Sequence, residues 1–217
     1  MKPASLVLAA AVVAGVSYVG GWFLPLPVPL SVAWKGAGVA LLALYAVLGA
    51  RSLDGWLLAA VLAFGAAGDV LLETSGRTIG ALAFLAGHLT AVALYLRNAR
   101  SGMKPAEVAF GLALVPAIVV GAFLLPPDRA AAGPIALYAT GLALMTATAW
   151  LSRFPRTLTA AGALMFAVSD LLIFLRTGRP ALDILPMGLA VWGLYFAGQT
   201  LICLGVSRTL DASRAEG

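Results

Sequence analysis

Residues 55–73 read GWLLAAVLAFGAAGDVLLE, a stretch whose only charged side chains are Asp69 and Glu73. About 20 apolar residues in a helix cross the roughly 30 Å hydrocarbon core of a bilayer. A run of this length and composition is therefore typical of a transmembrane segment. Because neither water nor a strand partner is available there, its backbone polar groups must bond within the segment, which predicts a helix.

The same pattern recurs along the whole chain. Of 217 residues, 62% are hydrophobic and 11% charged, and the mean hydropathy is +1.00, whereas soluble domains are about half apolar and a quarter charged. Eight runs predict an all-α polytopic membrane protein, with one integral membrane domain over residues 1–217 and no length left for a soluble domain. These runs are about 4–24, 31–50, 55–73, 78–96, 106–125, 131–151, 157–176 and 183–205.

Several other classes are excluded by the same composition. The apolar excess excludes a disordered chain, and the single cysteine, Cys203, excludes a disulfide-stapled secreted domain. The first run follows Lys2 as a signal peptide would, but it stays apolar to Phe23 and Leu24 with no polar cleavage region, so a retained first helix is expected. The net charge of +5 comes from scattered short clusters, and it therefore indicates helix orientation rather than nucleic-acid binding.

The basic residues predict the orientation. Nine fall on the side of the N terminus and four on the other side, which places both termini in the cytoplasm of a bacterial inner membrane. The nine are Lys2, Arg51, Arg97, Arg100, Lys104, Arg153, Arg156, Arg208 and Arg214, and the four are Arg77, Arg129, Arg176 and Arg179.

Polar side chains inside the spans are the candidate functional residues, because an ionisable group there costs about 2.5–3.5 kcal/mol on insertion scales. Most of them fall in the half of their span that faces away from the cytoplasm, with His88 near the middle. This distribution predicts a cavity open to the outer leaflet. The set comprises Lys35, Asp69, Glu73, His88 and Asp170, with the uncharged Tyr138, Tyr195 and Gln199.

The third and seventh spans resemble each other, since each carries one aspartate near the same end. A parallel four-plus-four repeat is one interpretation, and it would bring Asp69 and Asp170 to face each other across a shared cavity. Structural alternatives stay open. Either aspartate is also suited to hydrogen-bond a neighbouring helix, and Lys35 is suited to reach the headgroups. His88 is equally suited to be an interior histidine whose hydrogen bonds are made within the protein.

Four motifs in this order resemble the YhhN-like lysoplasmalogenases, and the resemblance runs from the second span to the eighth. The sequence departs from that family at Gly36, where many relatives are expected to carry proline after the lysine. The motifs are Lys35, Gly68-Asp69 with Gly87-His88, Phe166-x-x-Ser169-Asp170, and Tyr195-x-x-x-Gln199.

The resemblance implies hydrolysis of the vinyl ether bond of a lysoplasmalogen, a lysolipid taken from the membrane, with no cofactor. Such a bond breaks after protonation at carbon, which needs one protonated acid and a second, ionised group. Two close carboxyls in a low-dielectric site provide that combination. The catalytic residues would be Asp69, Asp170 and His88. The substrate-binding residues would be Lys35 at the phosphate, together with Glu73, Tyr138, Ser169, Tyr195 and Gln199.

Two rival functions remain open at the level of sequence. Intramembrane carboxylates with a histidine also suit a proton-coupled transporter of small molecules or lipids. Two helix-borne aspartates suit an intramembrane aspartyl protease, although Ala66 stands where the first glycine of its Gly-x-Gly-Asp pattern is expected. A metal site is not expected, because the chain has one histidine and one cysteine.

Overall fold

The computed structural model describes residues 3–215, without the side chains of 214 and 215. Lys2 and the Arg214 side chain, both used above to predict orientation, lie outside this part. The described chain is all-helical and contains no strand. Its helices are α1 (Pro3–Gly21), α2 (Val28–Gly49), α3 (Leu53–Thr74), α4 (Arg77–Arg97), α5 (Pro105–Leu124), α6 (Arg129–Leu151), α7 (Ala161–Arg176) and α8 (Leu185–Ala215).

Each of the eight helices is long and apolar enough to cross a membrane, counting the turn before α7 with that helix. The prediction of an all-α chain with eight transmembrane helices is confirmed, and the protein is an integral membrane protein. The helix ends carry ordinary signals. The Ser52 hydroxyl accepts a hydrogen bond from the Gly55 amide at 3.3 Å, and the Asp128 carboxylate accepts one from the Ala130 amide at 2.9 Å, so both residues are N-caps.

Two local features differ from the expected spans. The seventh span begins with a π-helical turn, Arg156–Ala160, which leads into α7. The eighth span was expected to end near residue 205, but α8 continues to Ala215. This last part of α8 carries polar side chains, because a helix that leaves the apolar core no longer needs apolar ones. They bond to the helix backbone, as when Thr209 Oγ1 donates to the Gly205 carbonyl at 2.8 Å.

The described residues fall into two compact units. The first comprises residues up to Leu94 and those from Cys203 onward. In it α2 packs between α1 and α3, and glycines let α4 approach α3 closely. A Cβ on Gly68 would lie 2.6 Å from carbons of the Phe84 ring, so no larger residue fits without displacing that ring.

The second unit comprises Tyr95–Ile202. In it α6 packs against α5 and α7, and α7 crosses α8 at a pair of glycines. A Cβ on either Gly162 or Gly198 would lie 2.6 Å from the carbonyl oxygen of the other. The two backbones are therefore in direct contact, as is common where small residues meet between membrane helices.

Candidate active site

Tyr138 and Asp170 form a partly buried polar pair in the second unit. The Tyr138 hydroxyl of α6 donates a hydrogen bond of 2.7 Å to Asp170 Oδ2 on α7, and Asp170 is only 7% exposed. The Tyr138 ring packs edge-on against Phe174, with 6.1 Å between the ring centroids. Phe174 lies one helical turn beyond Asp170, so the tyrosine is held by its ring and by its hydroxyl at once.

The position of Asp170 depends on contacts between α7 and α8. The neighbouring Ser169 donates its hydroxyl to the Val191 carbonyl at 2.8 Å. One turn earlier on α7, the Phe166 ring packs against Tyr195 of α8 with 5.0 Å between the ring centroids. Together with the glycine crossing at Gly162, these contacts place the helix face that carries Asp170 inside the unit.

Gln199 presents a buried hydrogen-bond acceptor without a partner. It is 2% exposed, and no described group bonds to its Oε1 atom. Buried polar atoms in proteins nearly always have a partner, either protein or water. The Gln199 carbonyl is therefore suited to accept a hydrogen bond from a water molecule or a substrate hydroxyl.

The first unit holds Asp69 on α3 and His88 on α4, and each is 2% exposed. Asp69 follows Gly68 directly, and His88 follows Gly87, so both polar residues sit next to a glycine that lets the two helices approach. A larger residue at Gly87 would crowd α3, because a Cβ there would lie 3.2 Å from the Cβ of Phe64.

Lys35 and Glu73 form an ion pair at the edge of the first unit. Lys35 Nζ of α2 lies 2.6 Å from Glu73 Oε1 of α3, and the Glu73 side chain is 48% exposed. Glu73 lies one turn beyond Asp69 on the same face of α3. Gly36 permits this approach of α2 to α3, since a Cβ there would lie 2.8 Å from the Val70 side chain. This close contact is a structural reason for the glycine that follows Lys35, where many relatives are expected to carry proline.

The structure thus joins two pairs among the expected site residues, Tyr138 with Asp170 and Lys35 with Glu73. The meeting of Asp69 with Asp170 stays a prediction. The sequence did not single out Phe174, which packs against the Tyr138 ring. The signal for it was its position four residues after Asp170, on the same face of the helix. Among the described residues, no three His, Cys, Asp or Glu side chains are grouped to hold a metal ion.

Comparison with known proteins identifies relatives. The model of the YhhN family matches residues 30–206. Two mycobacterial proteins named lysoplasmalogenase, from Mycobacterium bovis and Mycobacterium tuberculosis, are each 34% identical over 159 residues. The matched region covers 69% of this chain and 59% of each relative, so the chain spans less than two thirds of their length. No solved structure matches significantly.

Proposed function

The chain belongs to the YhhN family, and on that premise we propose that it hydrolyses the vinyl ether bond of lysoplasmalogens. The products are a fatty aldehyde and glycerophosphoethanolamine or glycerophosphocholine. The activity named for the mycobacterial relatives supports this proposal. The observation that carries it is the buried Asp170 carboxyl bonded by Tyr138, because a carboxyl held away from water on a membrane helix is suited to transfer a proton.

The reaction begins when a carboxylic acid gives its proton to the β-carbon of the vinyl ether. The α-carbon becomes an oxocarbenium ion, which a nearby carboxylate stabilises. Water adds to this carbon and loses a proton to the carboxylate. The resulting hemiacetal then breaks its bond to the glycerol oxygen, which takes a proton from the newly protonated carboxyl. The hemiacetal hydroxyl gives its proton to the first carboxylate, so the aldehyde and the glycerophospho alcohol are released and both carboxyls return to their starting states.

We assign the acid and base roles to Asp69 and Asp170 together, without fixing which is which. His88 and Gln199 orient water or adjust the protonation of the pair. The unpartnered Gln199 oxygen supports that role.

The remaining candidates bind substrate. Tyr138 holds the Asp170 carboxyl, and Tyr195 reaches the glycerol or a carboxyl. Ser169 contributes through its acceptor lone pairs, since its proton is engaged by Val191. The Lys35–Glu73 pair meets the lipid headgroup, where an ammonium and a carboxylate complement a zwitterion.

We further propose a single integral domain in a bacterial inner membrane, with both termini in the cytoplasm. The basic residues support this orientation through their unequal distribution. The four-plus-four repeat remains part of the same proposal.

The substrate assignment is tested with purified full-length protein in detergent and three lysolipids that differ only in the sn-1 linkage. These carry a vinyl ether, an alkyl ether or an ester, and free aldehyde and fatty acid are both measured. Aldehyde from the vinyl ether alone is expected. Fatty acid from the ester, or turnover of none of the three, would refute the proposal.

A further inference from the structure

Two arginines follow Asp170 at the same end of α7. Arg176 is the last residue of the helix, and a turn at Thr177 and Gly178 leads to Arg179. Gly178 has a φ of 74°, a left-handed conformation that glycine adopts without strain. This turn reverses the chain and brings Arg179 back to the helix end.

Arg179 is fixed against two helix ends. Its Nη1 atom donates to the carbonyl of Leu175, in the last turn of α7, at 2.5 Å and to that of Leu125, the residue that caps α5, at 2.7 Å. A cation that caps free carbonyls in this way is held in place. Because arginine has five N–H donors, this capping leaves most of its donor capacity unused, and both acceptors are neutral carbonyls.

Arg176 is paired only loosely. Its Nη1 atom lies 3.7 Å from Asp183 Oδ1, and the Asp183 side chain is 78% exposed. Exposed pairs of this kind contribute little and are easily exchanged for another anion. The other charges at this end of the unit are Arg129, which stacks on Phe123 at 4.4 Å, and Asp128, which caps α6.

The Lys35 ammonium, by contrast, is closely matched by the Glu73 carboxylate at 2.6 Å. A phosphate approaching Lys35 would meet that carboxylate as well. A headgroup phosphate would therefore be bound more favourably where positive charge exceeds negative charge.

The spacing along α7 fits the lysolipid. Arg176 lies six residues after Asp170, which is about 9 Å along the helix axis at 1.5 Å per residue and about a third of a turn around it at 3.6 residues per turn. In an extended lysoplasmalogen, six bonds join the α-carbon of the vinyl ether to phosphorus. Two three-bond steps of roughly 3.8 Å each give about 7.6 Å, and the flexible arginine side chain easily covers the difference.

We propose that Arg176 and Arg179 bind the phosphate of the lysolipid while its vinyl ether lies at Asp170. The distance along α7 between Asp170 and the two arginines then favours lysolipids in which the three glycerol carbons separate the ether oxygen from the phosphate. This inference rests on the proposed hydrolase function and adds to it a basis for headgroup recognition.

The test compares an alkenyl glycerophosphoethanolamine with the corresponding alkenylglycerol, which lacks phosphate, in steady-state assays of aldehyde release. The Arg176→Gln variant should raise KM for the phospholipid about tenfold, the loss expected for a charge-assisted contact, with kcat nearly unchanged. Its kinetics on the alkenylglycerol should equal those of the unmodified protein. Arg176→Lys should recover most of the phospholipid KM, since it retains the charge.

Arg77→Gln is the matched control, because Arg77 is likewise an arginine at a helix end on the predicted outer side, although Arg176 is half-buried and Arg77 is exposed. It should leave the kinetics on both substrates unchanged. An unchanged KM in Arg176→Gln, or an equal effect on both substrates, would overturn the proposal. Absence of aldehyde from both lipids with the unmodified protein would instead refute the hydrolase function itself.

Discussion

The sequence and the structure show different properties of Asp170. In the sequence it is a costly charge within an apolar span. In the structure it is buried and accepts a hydrogen bond from Tyr138 at 2.7 Å, so its cost is offset by a bond between helices. The residue was predictable as a candidate, and the resemblance implied that Tyr138 bonds either the glycerol or a carboxyl. Which of these groups it bonds was not predictable, because Tyr138 lies 32 residues earlier on a different helix.

Replacing Asp170 or Asp69 with asparagine keeps the side-chain shape and removes the capacity to transfer a proton. We expect each variant to lower kcat by about 10²- to 10⁴-fold, the range for a lost general acid or base. The measurement is aldehyde release, with size-exclusion elution as the check on folding. Asp128→Asn is the control, since asparagine caps a helix as well as aspartate does. Full activity in both single variants would contradict the assignment.

Removing only the hydroxyl that bonds Asp170 gives a milder change. Hydrogen bonds to charged groups contribute about 1.5–3 kcal/mol, so Tyr138→Phe should lower kcat roughly tenfold to a hundredfold while the ring stays against Phe174. Tyr45→Phe, on α2 of the first unit, should have no effect on kcat. If Tyr138→Phe is as active as the unmodified protein, the bond to Asp170 does not serve the reaction.

At the scale of elements, the helices were predictable and their contacts were not. Hydropathy and helix-breaking residues located all eight spans because the bilayer imposes one length and one secondary structure. The π-helical turn at Arg156–Ala160 left no such signal. The pairing of Lys35 with Glu73 was not predicted either, since it requires the register between α2 and α3.

The glycine crossing of α7 and α8 makes a specific prediction about stability. Gly198→Ala would place a methyl group 2.6 Å from the Gly162 carbonyl oxygen, and overpacking of this kind costs about 1–3 kcal/mol. The midpoint of thermal unfolding in detergent should fall. Gly193 lies on the same helix with nothing within 4 Å of its Cβ position, so Gly193→Ala should be neutral or stabilising. Equal midpoints for the two variants would show that the crossing is not tightly packed.

At the scale of the whole molecule, orientation is a proposal that cysteine labelling can test. Cys203 is fully buried, so it should give little background with a membrane-impermeant maleimide. In intact cells Ser75→Cys, in the exposed turn before α4, should be labelled from outside. Ser101→Cys, in the exposed loop before α5, should be labelled only after the cells are opened. The reverse pattern would place both termini outside the cytoplasm.

The central proposal is that Asp69 and Asp170 act together as the acid and the base. The most direct measurement is a double-mutant cycle on single-turnover aldehyde release from an alkenyl lysolipid, using the two asparagine variants and their combination. Groups that act as one catalytic unit show strongly non-additive losses. The account therefore predicts that the double variant is no slower than the slower single variant. Losses that multiply, as independent sites would give, would contradict it.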